Sequence, residues 1–77
     1  MTEPLVREVA IAIAAYVAAY PRAADTVEGV HQWWLVPRAA EHTLQTTQLA
    51  LEQLESEGLM ERHVFLRGTL WRMRLSR

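Results

Sequence analysis

Apolar side chains recur every three or four positions in the first part of the chain, which is the period of helices that bury one face. Between residues 3 and 20 the recurring residues are Leu5, Val9, Ala12, Ile13, Tyr16, Val17 and Tyr20. Thr2 is suited to cap this helix, and Pro21 ends it because proline disfavours helical backbone in the residue before it. We therefore expect a first helix over about residues 3–20.

Two further helices are predicted downstream by capping residues and by the same period. Asp25 precedes Glu28 by three residues, the spacing of a capping box, so a second helix is expected over about residues 26–35. Its predicted buried stripe consists of Val27, Val30 and Trp34. A third helix is expected over about residues 43–57, directly before a C-cap glycine, Gly58. Its predicted inward residues are Leu44, Thr47, Ala50, Leu51 and Leu54.

After Gly58 the apolar period shortens to two residues, which predicts a β-hairpin over about residues 61–75. A two-residue turn at Arg67 and Gly68 would place Val64 opposite Trp71 and Phe65 opposite Leu70. The face expected to pack on the helices consists of Trp71, Met73 and Leu75. The face expected to point outward consists of Leu70, Arg72 and Arg74, with His63 opposite Arg72.

The end of the third helix carries the pattern A-L-x-x-L-x-x-x-G-L, formed by Ala50, Leu51, Leu54, Gly58 and Leu59 and followed by a charged strand. With this pattern the chain resembles the winged-helix branch of the helix-turn-helix superfamily over nearly its whole length. The resemblance implies an α+β fold, a small winged helix with three helices and a C-terminal two-stranded β-hairpin wing, in a single domain over residues 1–77. The small strand that winged helices usually have between helices one and two is not visible in the sequence. The fold serves DNA binding, protein contacts and dimerisation alike, so the resemblance does not select a function.

Composition and motifs argue against several functions. The chain has no cysteine, so neither a disulfide nor a thiolate zinc site can stabilise it. The apolar stretch over residues 9–20 is too short to span a bilayer, and a cytoplasmic protein is expected. His31, His42 and His63 match no metal motif, and no catalytic signature or glycine-rich phosphate loop is present. We therefore expect no enzymatic activity, no cofactor, no metal and no small-molecule substrate.

Charge is distributed unevenly, which raises the possibility of DNA binding. Residues 1–57 carry three arginines against eight acidic residues, whereas residues 58–77 carry five arginines against one glutamate. In DNA-binding relatives the third helix enters the major groove and the wing contacts phosphates. The candidate residues are Gln45, Thr46, Gln53, Arg62, Arg67, Arg72 and Arg74. Because no lysine or arginine lies between Thr43 and Glu61, any DNA binding is expected to be weak and carried by the wing.

The sequence slightly favours a function in protein binding over one in DNA binding. Adjacent residues on a helix point about 100° apart, so Trp33 cannot share the buried stripe of Trp34. Trp33, Leu49 and Phe65 are therefore large apolar residues that the simplest registers leave outside the core. For Trp33 the alternative is that both tryptophans fill a small core that lacks other bulky residues. A small domain seldom exposes several such groups unless something covers them. We expect a protein-interaction module, an adaptor or accessory factor that forms a homodimer or binds another protein through these residues. A DNA-binding transcriptional regulator is the alternative.

Overall fold

The first helix, α1 (Pro4–Ala19), packs one side of its surface into the core. The computed structural model describes residues 4–36 and 39–74, so the predicted cap Thr2 lies outside the described residues. The buried residues of α1 are Val6, Val9, Ala10, Ile13 and Val17. Val9, Ile13 and Val17 were predicted to be buried, but Leu5, Ala12 and Tyr20 are exposed, so the prediction for these three is wrong. The inward face of α1 is rotated from the predicted one toward Val6 and Ala10. The sequence could not show this, because hardly any polar residue marks the outer side of the helix.

The second helix begins at α2 (Val27–Gly29) and continues directly as a π-helical segment (Val30–Trp34). Its N-cap is Thr26, whose hydroxyl accepts a hydrogen bond of 3.1 Å from the Gly29 amide. Asp25, predicted to be the cap, instead lies in a strand and accepts a bond of 2.8 Å from the Thr26 amide. A Cβ at residue 29 would overlap the Asp25 carboxylate, which would then have to move from its position against the Thr26 amide.

At its C-terminal end the second helix is joined to α1 by aromatic stacking. The Trp34 ring stacks on Tyr16 with centroids 4.7 Å apart and planes 12° apart. Val30 and Trp34 are buried, as predicted, and Val27 is half-buried. A 3₁₀ turn (Ala39–Glu41) precedes the third helix. The stacking therefore leaves the neighbouring Trp33 to point elsewhere, in keeping with the step between adjacent helical residues.

The third helix, α3 (Leu44–Ser56), is capped by Thr43, whose hydroxyl accepts a bond of 3.0 Å from the Thr46 amide. Its buried residues are Thr47, Ala50, Leu51 and Leu54, all of which were predicted. The prediction that Leu44 is buried is wrong, because 40% of this residue is exposed. Leu44 lies in the first turn, beside a surface cavity of about 390 Å³ that also contacts His31 and Ala40. The first turn of α3 at Leu44 therefore lies outside the core.

Three antiparallel strands form one sheet in the order β1–β3–β2, with β1 at Ala24–Asp25, β2 at Met60–Phe65 and β3 at Gly68–Met73. The predicted two-stranded hairpin was therefore incomplete. β1 pairs with Arg72 and Trp71 of β3. A strand of two residues is too short to show an alternating pattern, which is why the sequence did not indicate it. The described residues thus have an α+β fold of three helices and a three-stranded antiparallel sheet.

The hairpin register differs from the prediction by two residues. Leu66 and Arg67 form the turn, and Gly68 is already the first residue of β3, with φ at 151°. Trp71 therefore pairs with Arg62 and not with Val64, His63 pairs with Leu70, and Phe65 pairs with Gly68. A slip of two residues keeps every side chain on its predicted face, so the apolar alternation could not distinguish the two registers. The predicted inward residue Leu75 lies outside the described residues.

The core lies between the helices and the inner face of the sheet. The sheet contributes Trp71 and Met60, each 1% exposed, and the helices contribute residues such as Ile13, Val30 and Leu51. Partly buried Met73 and Leu59 pack against this cluster. Since side chains alternate along a strand, Arg62 and Val64 share the inner face with Trp71. Arg62 pairs directly with Trp71, whereas Val64 lies nearer the turn and is exposed. The turn end of the hairpin therefore extends past the core.

Candidate functional site

The three predicted protein-contact residues are all exposed. Trp33 lies in the π-helical segment and is 64% exposed, Leu49 lies on the outward side of α3, and Phe65 is the last residue of β2. The exposed fractions of Leu49 and Phe65 are 42% and 44%. The three side chains belong to three different elements. The exposure of Leu49 and Phe65 is as predicted, and for Trp33 the structure excludes the alternative in which it fills the core.

A larger apolar surface lies at the turn end of the hairpin, which we call the hairpin tip (residues 64–66). Val64 is 68% exposed, and Leu66 is fully exposed. Together with Phe65 they form three consecutive apolar residues in contact with solvent. The sequence did not identify Val64 and Leu66 as members of an exposed apolar surface. It placed Leu66 in the first strand of the hairpin and the turn one residue later, at Arg67 and Gly68. Such runs on a protein surface are usually retained for a function.

Arg62, which was predicted to contact phosphate, is held at the protein surface by two neighbouring side chains. Its Nε and Nη2 atoms donate to the Glu55 carboxylate at 3.0 Å and 2.8 Å, and its guanidinium lies 4.7 Å from the centre of the Trp71 ring. The hydrogen bond from Arg62 holds the pKa of the Glu55 carboxyl below its ordinary value, against a smaller opposing effect of lost hydration. The same bond raises the pKa of Arg62. The charge of Arg62 is thus already satisfied by α3.

Arg72 is also neutralised, by a glutamate on the neighbouring strand. Its Nε donates to the Glu61 carboxylate at 2.8 Å, across the pair that joins β2 and β3. Arg67 and Arg74 are exposed and have no ion pair with any described residue. Two of the four predicted phosphate-binding arginines therefore remain available to a polyanion.

The predicted base-reading residues of α3 are only partly free. Gln45 is exposed, but Gln53 donates to Glu57 at 3.1 Å. The hydroxyl of Thr46 lies 3.0 Å from that of Thr43, within the cap of the helix. The outward side of the helix also carries Glu52, which accepts a bond of 2.8 Å from Gln48. The helix therefore offers one free amide side chain beside acidic and apolar groups, a poor match to a DNA groove.

One surface cavity brings residues of the hairpin, α3 and the start of α2 together. Its volume is about 320 Å³, and its walls include Arg62, Arg67, Gln48 and Glu28. The Glu28 carboxylate opposes binding of an anion there, and Arg62 is already bound to Glu55.

Within residues 4–36 and 39–74, no group of three or more potential ligands is arranged to hold a metal ion. His31 Nδ1 lies 2.8 Å from the Thr47 hydroxyl, which ties the second helix to α3. His42 Nδ1 is buried and has no hydrogen-bond partner among the described residues. No described helix has both the length and the apolar character needed to cross a membrane.

Comparison with known proteins adds no functional information to this geometry. No protein-family model, no curated protein and no solved structure matches the chain.

Proposed function

We propose that the chain is a non-enzymatic protein-interaction module of the winged-helix type, an adaptor or accessory factor that also self-associates. The winged-helix assignment is supported by β1, which lies between the first two helices, where winged helices usually have a small strand. It is also supported by the hairpin that follows α3 and by the central position of β3 in the sheet.

The observation that carries the proposal is the apolar hairpin tip. A wing that binds DNA needs cationic side chains near its turn, because affinity for a duplex comes largely from phosphate contacts. Here three consecutive exposed apolar residues, Val64, Phe65 and Leu66, lie at the turn beside a single unpaired arginine, Arg67. The arginines at positions 62 and 72 are neutralised by glutamates. Exposed aromatic and aliphatic side chains are suited to anchor in a pocket of another protein. Trp33 and Leu49 provide further apolar contacts.

We expect the double variant Phe65→Ser, Leu66→Ser to lose the protein partner that the wild type captures. Truncation of a central anchor at an interface typically costs about 2 kcal/mol or more, which corresponds to a roughly 30-fold weaker affinity. The measurement is quantitative capture by the immobilised full chain, followed by titration of the recovered partner. Tyr20→Ser, which alters an exposed aromatic residue just past the end of α1, is the matched control. Undiminished capture by the double variant and by Trp33→Ala and Leu49→Glu would contradict the proposal.

DNA binding is the second candidate function, and the availability of Arg67 and Arg74 is the observation in its favour. We expect any binding to random duplex DNA to be weak, non-specific and dependent on these two residues. The double variant Arg67→Ala, Arg74→Ala should reduce the slope of log affinity against log salt by about two units, because each phosphate contact contributes close to one. The control variant Arg62→Ala, Arg72→Ala should change the slope less, because both arginines are already paired. Tight, sequence-selective binding that survives the first variant would make DNA recognition the primary function.

A further inference from the structure

The strand β2 lies at an edge of the sheet, and its main chain is hydrogen-bonded on one side only. The order β1–β3–β2 leaves the other side of β2 without a strand. In an antiparallel pair, successive residues turn their amide and carbonyl groups alternately toward the partner strand and away from it. The Arg74 amide donates to the Leu59 carbonyl at 2.7 Å, and the pairing continues without interruption to the turn, so the odd-numbered residues of β2 face β3. Arg62 and Val64 therefore direct their amide and carbonyl groups away from the sheet.

These outward groups are open to a partner. All residues from 62 to 65 are exposed, and no described residue forms a hydrogen bond with the backbone amide or carbonyl of Arg62 or Val64. An edge of this kind is a template for another strand, and proteins usually block it with proline, lysine or a β-bulge. β2 contains no proline and no lysine, and its pairing with β3 has no bulge. Donors and acceptors repeated at every second residue are matched by extended backbone, so the partner that fits this edge is a strand.

We propose that a second copy of this chain pairs its β2 antiparallel with this edge, around a two-fold axis at His63. Two sheets of three strands then become one sheet of six. This inference rests on the self-association in the proposed function and names the surface responsible for it. Two-fold dimers are the commonest assembly of identical chains, and an antiparallel pair of identical strands has this symmetry.

The position of the axis follows from the outward groups. With the axis at His63, Arg62 of each copy lies opposite Val64 of the other, and both pairs exchange two hydrogen bonds, so every outward group of these residues is used. An axis at Arg62 would place the two Arg62 side chains directly opposite each other, and like charges in that position are destabilising. An axis at Val64 would place Arg62 opposite Leu66, which already belongs to the turn.

Charge makes the edge compatible with a copy of itself. The two residues of β2 that are charged at neutral pH are already paired within the chain, Glu61 with Arg72 and Arg62 with Glu55. Two identical edges therefore meet without strong repulsion. A partner with an unpaired charge of either sign would gain little from these residues, because their charges are already neutralised.

The pairing also covers part of the hairpin tip. Val64 and Phe65 are 68% and 44% exposed in one copy. In the pair, Val64 packs against the aliphatic part of Arg62 of the other copy, and Phe65 packs against that of Glu61. A strand of six residues is about 20 Å long, so the contact is smaller than the roughly 800 Å² per partner of a standard interface. We therefore expect a dimer with a micromolar dissociation constant.

The first test is amide hydrogen exchange, measured by NMR on the wild-type full chain at several concentrations, with sedimentation giving the fraction of dimer. At millimolar concentration the amides of Arg62 and Val64 should exchange about tenfold more slowly than in the monomer, because pairing protects them by mass action. The His63 amide, which faces Leu70 of β3, is the internal control and should change less. A wild type that stays monomeric at millimolar concentration would overturn the proposal. A dimer in which the Arg62 and Val64 amides gain no protection would do the same.

Two variants of Val64 separate the main chain from the side chain. Val64→Pro removes the outward amide, and edge strands tolerate proline where the amide faces solvent. Because two of the interchain bonds are lost, its dissociation constant should rise at least about tenfold. Val64→Thr keeps the amide and the β-branched shape and should dimerise like the wild type. Circular dichroism checks that both variants fold, and a folded Val64→Pro that dimerises normally would overturn the proposal. If Val64→Pro does not fold, the exchange measurement on the wild type decides.

The inference and the interaction function fail separately. A wild type that is monomeric but captures another protein through the hairpin tip would overturn the pairing of β2 and leave the interaction function in place. A dimer with protected Arg62 and Val64 amides, whose hairpin tip captures no other protein, would support the pairing and leave self-association as the only interaction.

Discussion

Replacing Trp71 with alanine is expected to lower the free energy of unfolding by about 3–5 kcal/mol, the range for a large aromatic residue removed from a core. Trp71 is the largest fully buried side chain in the described part of the chain, and it lies in the central strand. Its loss leaves a cavity between the sheet and the helices and also removes the ring on which Arg62 lies. A domain of this size has a total stability of only about 4–12 kcal/mol, so a large part of the variant should be unfolded in buffer.

The measurement is equilibrium denaturation by urea, with the fraction folded in buffer obtained from circular dichroism. Val64→Ala is the matched control, because Val64 lies on the same face of the hairpin but is exposed. It should change the free energy of unfolding by no more than about 0.5 kcal/mol, as at other exposed sites. A loss below about 1 kcal/mol for Trp71→Ala would mean that the hairpin does not contribute to the core.

Replacing Leu51 with alanine is expected to cost about 3 kcal/mol, within the range for leucines in well-packed cores. Leu51 is fully buried on the inner side of α3, between residues that pack against α1 and the sheet. Leu44→Ala and Leu49→Ala make the same chemical change in the same helix at exposed positions. Each should cost less than about 1 kcal/mol, since little apolar surface is re-exposed to water.

The comparison of these three leucines tests the orientation of α3, because only the side of the helix differs between the variants. Thermal or urea denaturation under identical conditions gives the three values. If Leu44→Ala destabilised the protein as much as Leu51→Ala does, the first turn of α3 would have to lie in the core. The orientation described above would then be wrong.

Sequence patterns predicted an element best where polar residues mark its outer side. In α3, glutamine and glutamate alternate with the apolar stripe, and Thr47, Ala50, Leu51 and Leu54 were assigned correctly. In α1 the outer side is apolar as well, so Leu5 and Ala12 could not be distinguished from Val6 and Ala10.

The candidate surfaces were predictable in part. The exposure of Leu49 and Phe65 followed from simple helix and strand registers, whereas for Trp33 the sequence left burial and exposure open. The pairing of Arg62 and Arg72 with glutamates could not be predicted, because it depends on contacts between different helices and strands. Glu55 reaches Arg62 from the end of α3, and Glu61 reaches Arg72 only because β2 and β3 pair in the observed register. The number of arginines in the sequence of the hairpin is therefore larger than the number of unpaired positive charges that it presents to a partner.

The position of β3 has a consequence for how the protein is made. Along the described residues β3 is the last strand but the middle strand of the sheet, so β1 and β2 are connected only through it. During synthesis, β1 is translated before Arg72 and Trp71, its pairing partners. Until then the nascent chain can form helices but no sheet, and the apolar groups that later cover Trp71 remain open to chaperones. The cooperative step of folding must therefore wait for β3, and pairing between residues so distant in sequence is expected to limit its rate.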